Sequence, residues 1–206
     1  MHTEFRPDLK PLRMLAVLGV VLVAAACSEG SKAPAVKFES TDITGVGIGS
    51  DFQLTDHTGR VRSLSDFRGK VVAVFFGYTH CPDMCPIAIA ELAQTVKQLG
   101  SQGDRVQVLF VTVDPARDTQ KVLAQYVPAF DPRFLGLYGD DATTAKVAAA
   151  YKVFFAPQRA NKSGNYTIDH TTAIYLIDRQ GRPRLFVRAG RTVTGMVHDI
   201  KLLLQG

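Results

Sequence analysis

Residues 71–76, Val-Val-Ala-Val-Phe-Phe, form an unbroken apolar run that leads directly into a turn with two cysteines. A strand without polar alternation must be covered on both faces, so this one belongs to the interior of a sheet flanked by helices. A second, largely apolar run, broken by Gln107 and Thr112, follows at residues 106–113 and reads as the next buried strand. Between the two, residues 87–99 place Ile89, Leu92, Val96 and Leu99 on one helical face, and Gly100 ends the pattern. Pro86 opens this helix at no cost, because a first-turn N–H has no intrahelical partner to lose.

The remaining pattern extends the same scheme. Residues 52–54 and 60–64 flank Asp56-His57-Thr58-Gly59, a hairpin with glycine in its loop. A helix is predicted at 119–126 behind Asp118 as cap, a short connecting segment at 135–138 and an alanine-rich helix at 142–151. Residues 172–177 and 184–187 make a second hairpin around Asp178-Arg179-Gln180-Gly181, and 194–204 read as a terminal helix. Strands that alternate with helices and close in a hairpin specify an α/β sandwich with an N-terminal β-hairpin. One domain spanning 51–206 is large enough to bury its own core.

The first 26 residues read as a targeting segment. Arg6, Lys10 and Arg13 precede an apolar stretch at 14–26, shorter than the about 20 residues a bilayer crossing needs. It ends Ala24-Ala25-Ala26-Cys27, followed by polar Ser28-Glu29-Gly30-Ser31. Small residues before a cysteine predict a lipoprotein-type signal over 1–26, with Cys27 acylated, although Ala24 stands where such signals more often carry leucine. An ordinary secretory signal or an uncleaved anchor is the alternative, and either exports the folded part. Residues 27–50 are expected to be the anchor cysteine and a flexible tether, because they lack apolar periodicity and contain Gly45, Gly47 and Gly49. The expected location is the cell membrane, lipid-anchored, facing the periplasm or extracytoplasmic space.

Charge excludes one class of partner. The net charge is +5, and the leader's three bases exceed its two acids by one, which leaves +4 for the rest. Without a lysine or arginine run or interleaved aromatics, nucleic acid is not an expected partner. With Cys27 assigned to lipid, Cys81 and Cys85 are the remaining cysteines. A structural disulfide is a poor use of a strand-to-helix turn, which is where sites lie. Their sulfurs sit at or just before a helix N-terminus, whose partial positive charge favours thiolate. The spacing is C-x3-C rather than C-x2-C, so the two sulfurs can face a common point without being held at bonding distance.

The run Phe75-Phe76-Gly77-Tyr78-Thr79-His80-Cys81-Pro82-Asp83-Met84-Cys85-Pro86 resembles the signature of the Sco/SenC family of copper chaperones, thioredoxin-fold proteins that help assemble the binuclear copper centre of cytochrome oxidase. The blocks 53–59, 64–70, 113–119 and 169–178 are similar to further family blocks in the same order, and the resemblance covers about 51–205. It implies a thioredoxin-like fold and a copper site, for Cu(I) and Cu(II), made by Cys81, Cys85 and His170. In a thioredoxin fold the residue before the strand at 172–177 lies beside the helix-opening cysteines, where thioredoxins place a cis-proline; here the segment is Asp169-His170-Thr171-Thr172. Two thiolates and an imidazole suit soft Cu(I) in trigonal geometry. Asp169 is a candidate to orient His170, with a loop cap as the plainer reading. The implied partners are cytochrome c oxidase subunit II and other copper chaperones, with the membrane reached through the lipid anchor and the chain itself a monomer.

Other residues carry less. His57 is expected to be solvated in its hairpin loop, and His198 lies among polar neighbours. His80 adjoins Cys81 but should point away from it, as neighbours at a strand end do. Met84 reads as a loop contact, and Asp114, Arg117 and Asp118 as a frame for the site or a docking surface. Zinc wants four protein ligands, or three and a water, and no HExxH-like base is present. Peroxidase chemistry needs a threonine three residues before its cysteine, whereas Thr79 is two before Cys81. Two functions of different class remain: a metallochaperone that is not an enzyme, and a thiol–disulfide oxidoreductase that reduces client cysteines through a Cys81–Cys85 disulfide.

Overall fold

The structure is a computed structural model that describes residues 1–3, 37–188, 190 and 192–206. Of the two compact units, Met1–Val36 and Lys37–Gly206, the second carries every element below. The expected signal segment and Cys27 lie outside the described residues. No helix among the described residues is long and apolar enough to cross a membrane.

The apolar run forms β4 (Val71–Gly77), and residues 106–112 form β5 (Val106–Thr112); every residue of both is buried. They pair in parallel, as a strand–helix–strand crossover requires, with α1 (Met84–Gln98) between them. Outside β4 lie β9 (Ala173–Ile177), antiparallel to it, and β10 (Pro183–Arg188), antiparallel to β9. Outside β5 lies β6 (Leu135–Tyr138), parallel to it, then β2 (Gln53–Asp56) and β3 (Val61–Ser63), antiparallel to each other. With β1 (Thr41–Asp42) at the edge, the sheet runs β1-β10-β9-β4-β5-β6-β2-β3. Helices α2 (Gln120–Tyr126), α3 (Asp141–Ala150) and α4 (Val193–Gln205) complete the layers, and α1 packs on α4. The fold is the expected mixed α/β one.

Alternation along β4 sorts the core. Phe75 meets Phe110 with ring centroids 6.0 Å apart, whereas Phe76, on the other face, meets Tyr151 at 5.3 Å and Tyr175 at 6.1 Å. Two turns repeat one solution. Asp56 Oδ1 accepts the N–H groups of Thr58 and Arg60, and Asp178 Oδ1 those of Gln180 and Arg182. Gly59 and Gly181 then close the turns at φ 86° and 81°.

Three expectations are corrected, and one small sheet was missed. Residues 135–138 are a sheet strand, not a connection; Gly136 breaks the apolar run because a Cβ there would meet Val127 at 3.0 Å and Leu123 at 3.1 Å. A separate two-stranded sheet, β7 (Phe155–Pro157) with β8 (Ile168–His170), was not legible as strands at all, being three residues each. Helix α2 is capped by Thr119, whose side chain accepts from Val122 N–H, and not by Asp118. His57 is not simply solvated: Gly136 N–H donates to its Nδ1 at 3.0 Å, and burial pushes its pKa down.

A fourth correction concerns the tether. Residues 37–50 are docked rather than free. Strand β1 pairs with β10, and Ile43 is buried. Asp199, fully buried on α4, accepts the N–H groups of Glu39 and Ser40 at 2.8 and 2.9 Å. Gly49 N–H donates to Ala150 O at 2.8 Å, and a Cβ on Gly49 would lie 2.8 Å from Pro183. Backbone donors satisfied by one carboxylate leave no trace in hydrophobic periodicity, so this segment looks unstructured in sequence. Replacing Asp199 by alanine should lower the unfolding free energy by about 1–3 kcal/mol, because it strands two amide donors. Urea denaturation of the parent and Asp199→Ala chains, compared at equal slope, measures this; unchanged midpoints would mean the segment is not clamped there.

Candidate metal centre

The end of β4 builds half of the centre. At Gly77 a side chain would meet Phe75 at 2.9 Å, Phe110 at 3.0 Å and Cys85 Sγ at 3.1 Å, so the missing Cβ is the space that the sulfur fills. Helix α1 starts at Met84 rather than at residue 87, which puts Cys85 inside its first turn and fully buried. Cys81 lies in the preceding turn, half-buried, its N–H donating to Tyr78 O at 3.3 Å. Cys85 N–H points at Cys81 Sγ, 3.5 Å away. Both cysteines are free thiols.

The other half comes from β8. His170 Nε2 lies 3.3 Å from Cys85 Sγ. Its Nδ1 is 3.1 Å from Thr171 O, and because a carbonyl only accepts, the proton sits on Nδ1 and leaves the Nε2 lone pair facing the sulfurs. The donor atoms of Cys81, Cys85 and His170 all lie within 4.8 Å of one another. Phe75 and Tyr78 hold the imidazole edge to face, at 6.4 and 5.8 Å between centroids.

The two thiols differ. Burial alone raises the Cys81 pKa, but N–H groups of Asp83, Cys85 and Met84, with the Cys85 thiol, outweigh it and hold Cys81 below the ordinary thiol value. Cys85 is pushed far up by burial, with the neighbouring Cys81 adding to the shift. The His170 pKa is lowered by burial, against smaller upward pulls from Thr171 O and Asp169. In the metal-free protein the imidazole is thus neutral and available as a ligand at neutral pH.

Asp169 does not orient His170. Alternation along β8 turns its carboxylate outward, where it accepts from Gln158 Nε2. The orienting acceptor is the Thr171 carbonyl, which no side-chain pattern reveals. His80 stands apart from the three donors; its Nδ1 contacts Thr79 Oγ1 at 3.1 Å and lies 3.7 Å from Asp118. Asp118, fully buried, accepts from Thr79 N–H, Thr79 Oγ1 and Thr112 Oγ1 at 3.0, 2.6 and 2.6 Å, so it ties the loop after β4 to β5. Arg117 bonds Asp114 and Tyr166 O, with its guanidinium 3.5 Å above the Tyr166 ring. These residues frame the loop and are not part of the donor set.

Residues 41–205 match the family described as SCO1/SenC. The chain belongs to the SCO1/SenC family. It is 46% identical over 138 residues to a mitochondrial SCO2 homolog of Bos taurus, a match covering 66% of this chain and 52% of that protein. The chain therefore spans about half the length of that curated relative. Among solved structures, Bradyrhizobium japonicum ScoI with copper bound is 41% identical with a TM-score of 0.70, covering 76% of this chain and 99% of the other. Yeast Sco1 with copper bound is 30% identical with a TM-score of 0.71, covering 78% and 90%. The SCO1/SenC fold is the expected thioredoxin-like one.

The thiol asymmetry has a direct chemical readout. Alkylation attacks the thiolate, so at pH 7 Cys81, only half-buried and with its pKa lowered, should react first, and Cys85, fully buried, should lag by at least about tenfold. Raising the pH should speed Cys81 only until it is fully ionised, below the pH needed for an ordinary thiol. Peptide mass spectrometry after timed iodoacetamide treatment resolves the two sites; equal rates would refute the asymmetry.

Proposed function

We propose that this chain is a copper-binding chaperone rather than an enzyme, holding copper through Cys81, Cys85 and His170 and passing it to the binuclear copper site of cytochrome c oxidase subunit II. The observation that carries this reading is the convergence of two thiols and an Nε2 lone pair within 4.8 Å. Such a soft, three-donor set suits Cu(I), and with a further ligand Cu(II). Membership of the SCO1/SenC family and the copper-bound ScoI and Sco1 structures support it. Three ligands leave room for an incoming one, so the acceptor's ligands replace the donor's in sequence. Other copper chaperones are the natural source of the ion. Binding needs both sulfurs reduced, and oxidation to a Cys81–Cys85 disulfide releases the metal.

A second reading is favoured by the thiol asymmetry. The Cys81 thiolate attacks a disulfide of an exported client and forms a mixed disulfide. Cys85 then displaces the client sulfur, giving its proton to His170 Nε2 at 3.3 Å. The client leaves as a dithiol ready for copper, and the chain carries the Cys81–Cys85 disulfide. The two activities are compatible as steps of one task. The alternative, an oxidoreductase only, has no use for a metal.

The soluble unit Lys37–Gly206 should bind one copper per chain. Cys81→Ala or Cys85→Ala should weaken Cu(I) binding by more than about 100-fold, beyond the effect typical of a residue that only supports a ligand. His170→Ala should weaken it less and remove thiolate-to-Cu(II) charge-transfer colour. Chelator competition and visible absorption measure both, and a His170→Ala protein that matches the parent in each would sink the three-ligand site.

The chain is proposed to work at the membrane surface, lipid-anchored through Cys27 after removal of residues 1–26 and acting as a monomer. Ala24-Ala25-Ala26-Cys27 after the apolar stretch supports this. One acyl chain binds membranes only marginally, so firm anchoring calls for several on that cysteine. Intact mass of the membrane-extracted protein should show a modified Cys27 as first residue; an unmodified Cys27 with its leader attached would mean a signal anchor.

A further inference from the structure

Cys85 and His170 lie 85 residues apart in sequence, and the strand that carries His170 does not itself pair with β4. His170 stands on β8, which pairs with β7 in a sheet separate from the eight-stranded one that ends in the cysteine turn. Register through β9, which pairs Ile174 with Phe75, brings His170 near the end of β4 but leaves β8 and the imidazole plane to be fixed by other contacts.

Tyr78, next after β4 and almost wholly buried, touches both halves. Its carbonyl accepts Cys81 N–H at 3.3 Å, which fixes the cysteine turn. Its ring lies edge to face with the His170 imidazole, 5.8 Å between centroids at 83°. Its hydroxyl accepts Ile168 N–H at 3.1 Å. Ile168 faces Pro157 at a non-hydrogen-bonded position of the β7–β8 register, since the neighbouring Gln158 N–H bonds Thr167 O, so the Ile168 N–H points away from β7 and is free for the hydroxyl. The hydroxyl thus ties β8 to the end of β4.

We propose that Tyr78 is the positioning residue of the centre: its hydroxyl holds β8 in place and its ring sets the imidazole plane, so that His170 Nε2 faces Cys81 and Cys85. Tyr78 is not itself a ligand. It acts through His170, and in its copper arm the proposal rests on the function proposed above.

The test compares the full-length parent, Tyr78→Phe, His170→Ala and the double variant. Tyr78→Phe keeps the ring and removes one hydroxyl, so the thiol-dependent binding of one Cu(I) should persist. The share of Cu(I) affinity that depends on His170, read as the parent-to-His170→Ala ratio, should shrink at least fivefold. The thiolate-to-Cu(II) band should weaken or shift with it. In the His170→Ala background, Tyr78→Phe should change copper affinity by less than twofold, because nothing remains to position. Losses that multiply in the double variant would overturn the proposal, since they would show a general structural role. A metal-free arm stands apart from copper chemistry: Tyr78→Phe should speed amide exchange at Ile168 at least tenfold, with exchange along β4 and β5 unchanged. Unaltered Ile168 protection would overturn the proposal even where copper binds as expected. A parent that bound no copper would defeat the proposed function, while the amide exchange would still decide whether Tyr78 anchors β8. Tyr78→Leu, which also removes the ring, should exceed Tyr78→Phe in each readout.

Discussion

A thiol can be buried against a packed strand only where that strand gives up a side chain, and Gly77 is that place. Phe75 and Phe110 close the space on one side and Cys85 Sγ occupies it, with contacts of 2.9 to 3.1 Å to where a Cβ would stand. The position of α1 follows, because its first turn must deliver Cys85 there. So does the inequality of the thiols: one sits in the low-dielectric interior, and the other collects the amides of the turn that precedes the helix. The proposed copper capture and disulfide exchange would both draw on that inequality.

Buried aspartates do the remaining work of holding loops. Asp56, Asp118, Asp178 and Asp199 are each nearly or fully inaccessible. Each accepts at least two donors, and backbone N–H groups are among them in every case. A carboxylate that accepts several amides repays its desolvation and fixes the backbone that supplies them. For Asp56 the balance is visible as a pKa held down at about 2: burial raises it, but Thr58 and Arg62 with the amides of Arg60 and Thr58 prevail. Its contribution to stability is complete above the ordinary carboxyl range and is lost as pH falls towards 2.

Much of this was legible in the sequence where the signal was hydrophobic or chemical. The runs at 71–76 and 106–113 specify buried parallel strands, and the cysteine spacing with His170 in its block points to the donor set. The elements that escaped share a physical cause. Strand β6 is interrupted by a packing glycine, and β7 and β8 are too short for periodicity. Asp118, Asp199 and the Thr171 carbonyl act through hydrogen bonds that span the fold, and an aspartate in a turn looks alike whether it caps a helix or ties two strands. Asp169 shows the converse error. Adjacency in sequence suggested that it served His170, but along a strand adjacent side chains point apart.

The docking of residues 39–43 has a mechanical consequence. Tension arriving through Lys37 from the segment before it would first load the two amides held by Asp199, then the β1–β10 pairing. Strands β10 and β9 stand between β1 and β4. An edge strand of two residues can peel while the interior strands that carry Gly77 and the cysteine turn stay paired. Under tension at Lys37 this segment would therefore give way before the interior strands that lead into the cysteine turn.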